Sequence, residues 1–279
     1  MNNTLTVVSI FRNEANILKE WLDHYIVRGV TKFHLINDRS DDNFLEVLKV
    51  YIEQGIVHLH ESSEPHDLIG RQNKIYETIF EKISSKLDWV LLIDLDEFVW
   101  NTKNLSLLEY VKDLESQNVF IERIFMDDFG DNDILIQPNS VVSTFKRRAL
   151  RRKRRINFGM TKSLFKYSKA GRIKFQHVSL KAGDSIKILN SSECNLRLNH
   201  YKMQSLQRWA ENIVHRGSAN GTEAQHLRHS WTFFHRYKSK MNEIEDLGLI
   251  EQNEKYKNEI LSNSIIDELE KKRESKGDY

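Results

Sequence analysis

Trp89-Val90-Leu91-Leu92-Ile93-Asp94-Leu95-Asp96-Glu97-Phe98 is an apolar run that stops at two carboxylates one residue apart. A run of this length, flanked by polar sequence, suits a strand buried on both faces of an α/β sheet. The carboxyl ends of such strands are where open α/β sheets place their ligands. Strand side chains alternate with period two, so Asp94 and Asp96 are expected on one side, with Leu95 turned into the core. Two like charges held that close call for a counter-charge. Hard oxygen ligands favour Mg²⁺ or Mn²⁺, and Mg²⁺ in particular is held by one or two carboxylates together with substrate phosphates. The competing reading is a solvated turn, because acidic residues after a strand are ordinary turn formers. Glu97 adds a third acid, and Phe98, Val99 and Trp100 resume apolar character at once, which argues against a mere surface turn.

Outward from this run, the first hundred residues alternate strand and helix signals. Residues 5–11 form an apolar, β-branched strand; Asn13 or Asn16 can cap a helix with Ile17, Trp21, Leu22 and Tyr25 on one face, and Gly29 can end it. Residues 32–37 read as a second strand and 38–43 as a turn. A second helix carries Phe44, Leu48, Tyr51 and Ile52 on one side and stops at Gly55, followed by a strand at 56–59. A third helix, with Ile69, Tyr76, Ile79, Phe80 and Ile83, leads to the strand at 90–93. Repeated units of this length imply right-handed crossovers and a parallel sheet with helices on both faces. After Asp96 the rhythm changes to a short helix at 105–114 and strand candidates at 119–126, 141–145, 163–167, 175–180 and 196–201. Beyond Met203 the signals are helical, with Leu206, Trp209 and Ile213 on one face, and the tail after Lys238 is rich in lysine and glutamate.

Composition limits the function classes. The chain has 279 residues and a net charge of +2, so as a whole it is not a polyanion binder. A single cysteine, Cys194, excludes an internal disulfide and a cysteine-based zinc cluster, and fits a reducing compartment. Residues 1–12 lack a basic segment ahead of a long apolar core, so they read as a first strand and not a signal peptide. No apolar stretch approaches bilayer length, and a soluble protein, at most attached to a membrane surface, is expected. The run 146–155 holds eight basic residues interrupted only by Ala149 and Leu150, which makes nucleic-acid binding the rival function. Against it, the remaining acids cancel the charge and no aromatic-interleaved RNA motif is present. Docking to anionic lipid is a further option for this run.

The opening Ser9-Ile10-Phe11-Arg12-Asn13-Glu14-Ala15, then Trp21, His24-Tyr25, Gly29-Val30 and Ile36-Asn37-Asp38-Arg39-Ser40-Asp41-Asp42, resembles the start of GT-A glycosyltransferases, most closely the family 2 and family 92 type. Later pieces agree in order: Arg71-Gln72, the acidic Asp94 to Phe98 stretch, Phe129-Gly130, Lys162-Ser163, His177, Asn199-His200-Tyr201 and Arg216-Gly217. The resemblance covers about residues 4–217. Two departures concern phosphate and acceptor contacts: Lys202 follows the His-Tyr pair more closely than the family's lysine does, and no lysine precedes Arg216-Gly217 in the usual place.

What the resemblance implies is a Rossmann-like GT-A fold with a mostly parallel central sheet, helices on both faces and a C-terminal helical extension. Residues 1–217 would be the GT-A domain, split into a nucleotide-sugar-binding half (1–100) and an acceptor half (101–217), with 218–279 as the extension. The implied reaction is metal-dependent, inverting transfer of a sugar from a nucleotide-diphosphate donor to a glycan or lipid-linked acceptor, by an enzyme of the cytoplasm that can sit peripherally on an anionic membrane. Asp94, Asp96 and His200 would hold Mn²⁺ or Mg²⁺. Phe11, Arg12, Glu14, Asp38, Arg71 and Asp94 would meet the nucleotide sugar. Three of them have a plainer reading: Asp38 as a turn former, Arg12 as a partner for Glu14, and Arg71 in a surface ion pair. Inversion requires a general base for the acceptor hydroxyl. Asp128 is chosen among Asp127, Asp128, Asp131 and Asp133, while Lys162 and His177 are candidates for lining the sugar or acceptor pocket. A sugar-nucleotide pyrophosphorylase shares the fold class, but Phe11-Arg12-Asn13-Glu14 stands where its glycine-rich phosphate loop belongs.

Overall fold

The computed structural model describes residues 3–65, 68, 70–150, 161–174, 177–180, 187–189, 195–213 and 230–262. Strand β1 (Leu5–Phe11) is buried along its whole length and pairs in parallel with β2 (Lys32–Asn37) on one side and β4 (Trp89–Leu92) on the other. Strand β3 (Val57–Glu61) extends the sheet beyond β2, also in parallel. The crossovers are helices α1 (Ala15–Ile26), α2 (Phe44–Glu53) and α3 (Arg71–Ile83). Alternation along β1 decides which helix covers which face: Leu5, Val7 and Phe11 share a core with α1 and α2, whereas Val8 and Ile10 meet Ile75, Ile79 and Phe80 of α3. Both faces are therefore covered, which is why β1 and β4 carry nearly unbroken apolar runs.

The second half is mixed. After β5 (Glu97–Asn101) come α4 (Leu107–Ser116), β6 (Val119–Asp128), α5 (Val141–Thr144), β7 (Arg147–Arg148), β8 (Thr161–Lys166), β9 (Ala170–Lys174), β10 (His177–Leu180), β11 (Lys187–Leu189) and β12 (Leu196–His200). The main sheet has nine strands in the order β3-β2-β1-β4-β8-β6-β12-β5, with β11 beside β6. Strand β8 is antiparallel to both β4 and β6; β12 is parallel to β6, and β5 antiparallel to β12. One edge of the sheet thus collects the carboxyl ends of β1, β2, β4, β6 and β12 together with the amino ends of β5 and β8. This is the GT-A arrangement that the resemblance implies.

Three local expectations are corrected. Neither Asn13 nor Asn16 caps α1; the Ala15 N–H is taken by the Asp42 carboxylate (2.8 Å) from the loop after β2, and Asn13 adopts a left-handed conformation (φ 54°). Residues 141–145, expected as a strand, form the short helix α5. Ser140 accepts from the Ser143 N–H, and the Glu20 carboxylate of α1 accepts from the Val141 and Val142 N–H groups (2.7 and 3.2 Å), which satisfies the free donors of a helix start. Asp94, Leu95 and Asp96 lie in a turn between β4 and β5, not on a continuing strand. In the candidate at 175–180, β10 begins at His177, and residues 175 and 176 lie outside the described residues.

Beyond β12 come α6 (Leu206–Arg208), a π-helical turn (Trp209–Ile213), α7 (Trp231–Met241), β13 (Ile244–Glu245) and α8 (Gly248–Ser262). Strand β13 pairs with β7, and Leu249 joins the main core. Arg28, at the end of α1, donates to Gln252 and Asn253 of α8 (3.1 and 2.7 Å) and lies over the Tyr256 ring. Among the described residues no helix is long and apolar enough to cross a membrane. Asn242 locks the loop after β6, because its Oδ1 accepts from the Asn132 N–H (3.1 Å) and its amide donates to Asp131 (2.7 Å). A Cβ on Gly130 would stand 2.0 Å from Asn242 Oδ1 and 2.7 Å from the Met241 carbonyl. Gly130→Ala is therefore expected to cost about 1–3 kcal/mol through overpacking, read as a lower urea midpoint. An unchanged midpoint would mean that the 241–242 backbone yields at no cost.

Candidate active site

The acidic turn is held from below by α1. Trp21 Nε1 donates to the carbonyls of Asp94 (3.2 Å) and Glu97 (3.0 Å), and the Tyr25 hydroxyl donates to the Glu97 carbonyl (3.0 Å) while accepting the Val99 N–H (2.8 Å). His24 Nε2 meets the Val99 carbonyl at 2.8 Å. Trp21, His24 and Tyr25 form the buried helix face that fixes this turn. Leu95 is buried as expected. Glu97 is buried too; its Oε2 accepts the Asp94 N–H (3.0 Å), and burial pushes its carboxyl up to about 7, against the pull of Lys162.

His200 reaches the same place through strand register. It lies opposite Asp128 on β6 and opposite Glu97 on β5, and residues opposite one another project to the same side of a sheet. Its Nδ1 is 2.7 Å from Asp128 Oδ1, its Nε2 is 3.5 Å from Asp96 Oδ2, and the Asp96 carbonyl accepts the Tyr201 N–H (2.8 Å). Burial alone would lower the imidazole pKa, but the Asp96 and Asp128 carboxylates outweigh it and push it up to about 10. Asp128 is held below the ordinary carboxylate range because the His200 hydrogen bond and charge overcome burial.

Asp96, Glu97 and His200 offer one ligating atom each, all within 4.8 Å of one another. Two hard oxygens and an imidazole fit Mn²⁺ or Mg²⁺. Asp128 on Nδ1, with Nε2 facing the cluster, is the usual carboxylate support of a metal-binding histidine. Of the expected set Asp94, Asp96 and His200, the structure brings the last two together, while Asp94 Oδ2 lies 2.6 Å from Lys162 Nζ. Glu97, visible in sequence only as a third acid, takes the place beside them.

At the carboxyl end of β2, Arg71 forks onto Asp38: Nη1 donates to Oδ2 (2.5 Å), Nη2 donates to Oδ1, and further donations reach Ser62 Oγ and the Glu64 carbonyl (both 3.1 Å). The pair is buried, not a surface contact. Glu14 is buried against Arg208, which also donates to the Asn13 carbonyl (3.0 Å); sequence reading did not find Arg208, which is 194 positions away. Phe11 is buried edge-on to Phe44. Phe11, Glu14, Asp38 and Arg71 are therefore buried, whereas Arg12, Asp94, Asp96, Asp128 and His200 remain half-buried.

In the basic run, Arg147 donates to the Asn242 carbonyl (2.9 Å) and Arg148 to Asp246 (2.5 Å); 151–155 lie outside the described residues, as do Arg216 and Gly217. Asp246 also receives Arg197 (2.5 Å), which reaches Asp127 as well (3.0 Å). Burial would raise the Asp246 carboxyl, but the hydrogen bonds and charges of Arg197 and Arg148 hold it at about 2, against an ordinary 3.8. A depressed carboxylate stabilises the fold above its unfolded value and loses that contribution as pH falls through the folded one. About 2 kcal/mol is therefore expected to disappear between roughly pH 4 and pH 2. Acid titration of urea stability should show Asp246→Asn with a flatter slope across that window, and an equal slope would refute the assignment.

Residues 4–249 match glycosyltransferase family 92. A family 92 protein of Ricinus communis is 22% identical over 218 residues, covering 76% of this chain and 38% of the relative, so the chain spans well under half of that relative's length. Among solved structures, S. aureus TarS residues 1–349 aligns over 59% of this chain and 47% of its own at 13% identity and a TM-score of 0.39. A putative glucose-1-phosphate thymidylyltransferase from Bacillus anthracis aligns over 84% and 82% at 7% identity and a TM-score of 0.33. The family match takes in the acidic turn, Lys162, the His200 strand and the first residues of α8, and on that match the chain belongs to glycosyltransferase family 92.

Proposed function

We propose that the chain transfers a sugar, with inversion, from a nucleotide-diphosphate donor to a glycan or lipid-linked acceptor, with Mn²⁺ or Mg²⁺ held by Asp96, Glu97 and His200. The observation that carries this reading is the row Asp96, His200, Asp128 at the sheet edge where the parallel strands end. When bound, the ion supplies Lewis-acid stabilisation of the diphosphate leaving group, whose charge grows as the oxocarbenium-like transition state forms. The chain's own residues do the rest. Trp21 and Tyr25 fix the turn so that Asp96 is presented without rearrangement. Asp128 orients His200; a carboxylate held below its ordinary range is a weak proton acceptor, so in this reading it serves the ring before it serves the acceptor hydroxyl. In this reading Arg12, half-buried after β1, contacts the donor phosphates. A peripheral anionic membrane contact through 146–155 belongs to the same proposal, for the part of the run beyond Arg148.

Thermal-shift measurements with nucleoside diphosphates and nucleotide sugars, with and without Mn²⁺, test the reading on the native protein and Asp96→Ala. A ligand at about one hundred times its dissociation constant adds about 2.7 kcal/mol, a clear rise in Tm. The expected pattern is stabilisation by one nucleotide that requires Mn²⁺ and is lost in the variant. Stabilisation by no nucleotide, or equally in both proteins, would overturn it.

A further inference from the structure

Lys162 stands at the acidic cluster because β8 runs antiparallel to β4, so that its first residues return to the edge where β4 ends. The side chain is almost fully buried, with Nζ 2.6 Å from Asp94 Oδ2 and 3.1 Å from Glu97 Oε1. The cluster thus has two halves: Lys162 lies against Asp94 and Glu97, and His200 lies against Asp96 and Asp128. Glu97 belongs to both halves, since it is also one of the three residues placed to hold a divalent ion.

We infer that Lys162 is a built-in counter-cation that competes with the divalent ion for Glu97 and keeps Asp94 out of the ligand set. The inference rests on the metal reading proposed above and adds a positioning residue to it. With Lys162 in place the cluster has ligands for one ion, held weakly until the donor diphosphate brings its own oxygens and charge. Binding of metal and donor is thereby coupled. Without the ammonium, the divalent ion has no competitor for Glu97, and it binds more tightly in the absence of nucleotide.

The prediction has an unusual sign. A lysine that only props up the pocket would, when replaced, loosen metal binding. A competing counter-cation would, when replaced, tighten it. Mn²⁺ titration of the nucleotide-free protein, followed by the free-ion EPR signal, separates the two. Lys162→Met is expected to bind Mn²⁺ at least about tenfold tighter than the native chain, and Lys162→Arg, which keeps the charge, to stay within about threefold of it. Lys162→Gln keeps a donor for Asp94 and removes only the charge, so it replaces the Met variant if that one does not fold. Equal or weaker Mn²⁺ binding by the charge-free variant, with the native chain binding Mn²⁺, overturns the inference and leaves the metal reading standing. Absence of Mn²⁺ binding in every protein overturns both. Failure of both charge-free variants to fold assigns Lys162 to the fold and also overturns the inference.

Discussion

Arg71→Met is expected to destabilise the protein by about 3–5 kcal/mol, measured by urea unfolding. Arg71 and Asp38 are both buried and meet as a fork on a carboxylate, so removing one leaves the other as an uncompensated charge in a poorly solvated site. The same guanidinium ties down Ser62 and the Glu64 carbonyl, so the segment after β3 loses its anchor together with the charge pair. The double variant Asp38→Leu/Arg71→Met separates these contributions. It should be less destabilised than Arg71→Met alone, because no buried charge is left behind, and the remaining loss then reports the Ser62 and Glu64 contacts. If the single variant loses under 1 kcal/mol, the pair is solvated in solution and Arg71 returns to being a candidate for direct diphosphate contact.

This pair also shows where sequence reading stops. Strands β1, β2 and β4 were legible because burial on both faces writes itself into consecutive residues, and the end of the apolar run at Asp94 marked the site edge. The partners of the charged residues were not legible, because tertiary topology sets them. Glu14 has Arg12 two positions away in sequence, but its buried ion pair with Arg208 spans 194 positions. Arg148 looks like one more charge in a basic run until β13 brings Asp246 beside it. Residues 141–145 carry β-branched valines, but Glu20, 121 positions before Val141, supplies the acceptor that starts a helix there. The acidic turn is an intermediate case. Its composition raised the expectation of a cation site, but which acid faces Lys162 and which faces His200 depends on β8 entering antiparallel and on the β5-β12-β6 register.

Those registers make the second large prediction specific to single atoms. Asp96→Asn is expected to reduce sugar transfer by about 10²–10³-fold, the several kcal/mol that a leaving-group cation contributes, and to raise the Mn²⁺ concentration needed for half-maximal rate. Asp96→Asn should still fold: the side chain is partly exposed, and the contact that anchors this turn to β12 is the Asp96 backbone carbonyl on the Tyr201 N–H, which asparagine keeps. Asp128→Asn retains the shape beside His200 Nδ1 but removes the charge that supports the ring, so a smaller loss of about 10–100-fold is expected, with the same rise in Mn²⁺ requirement. The order matters more than either value. A cation held at Asp96 and supported through His200 requires the first variant to be the worse of the two and both to shift the metal dependence. If Asp128→Asn were the more damaging and left the Mn²⁺ requirement unchanged, Asp128 would be acting on the acceptor hydroxyl itself, and its bond to His200 would be the resting state of a general base.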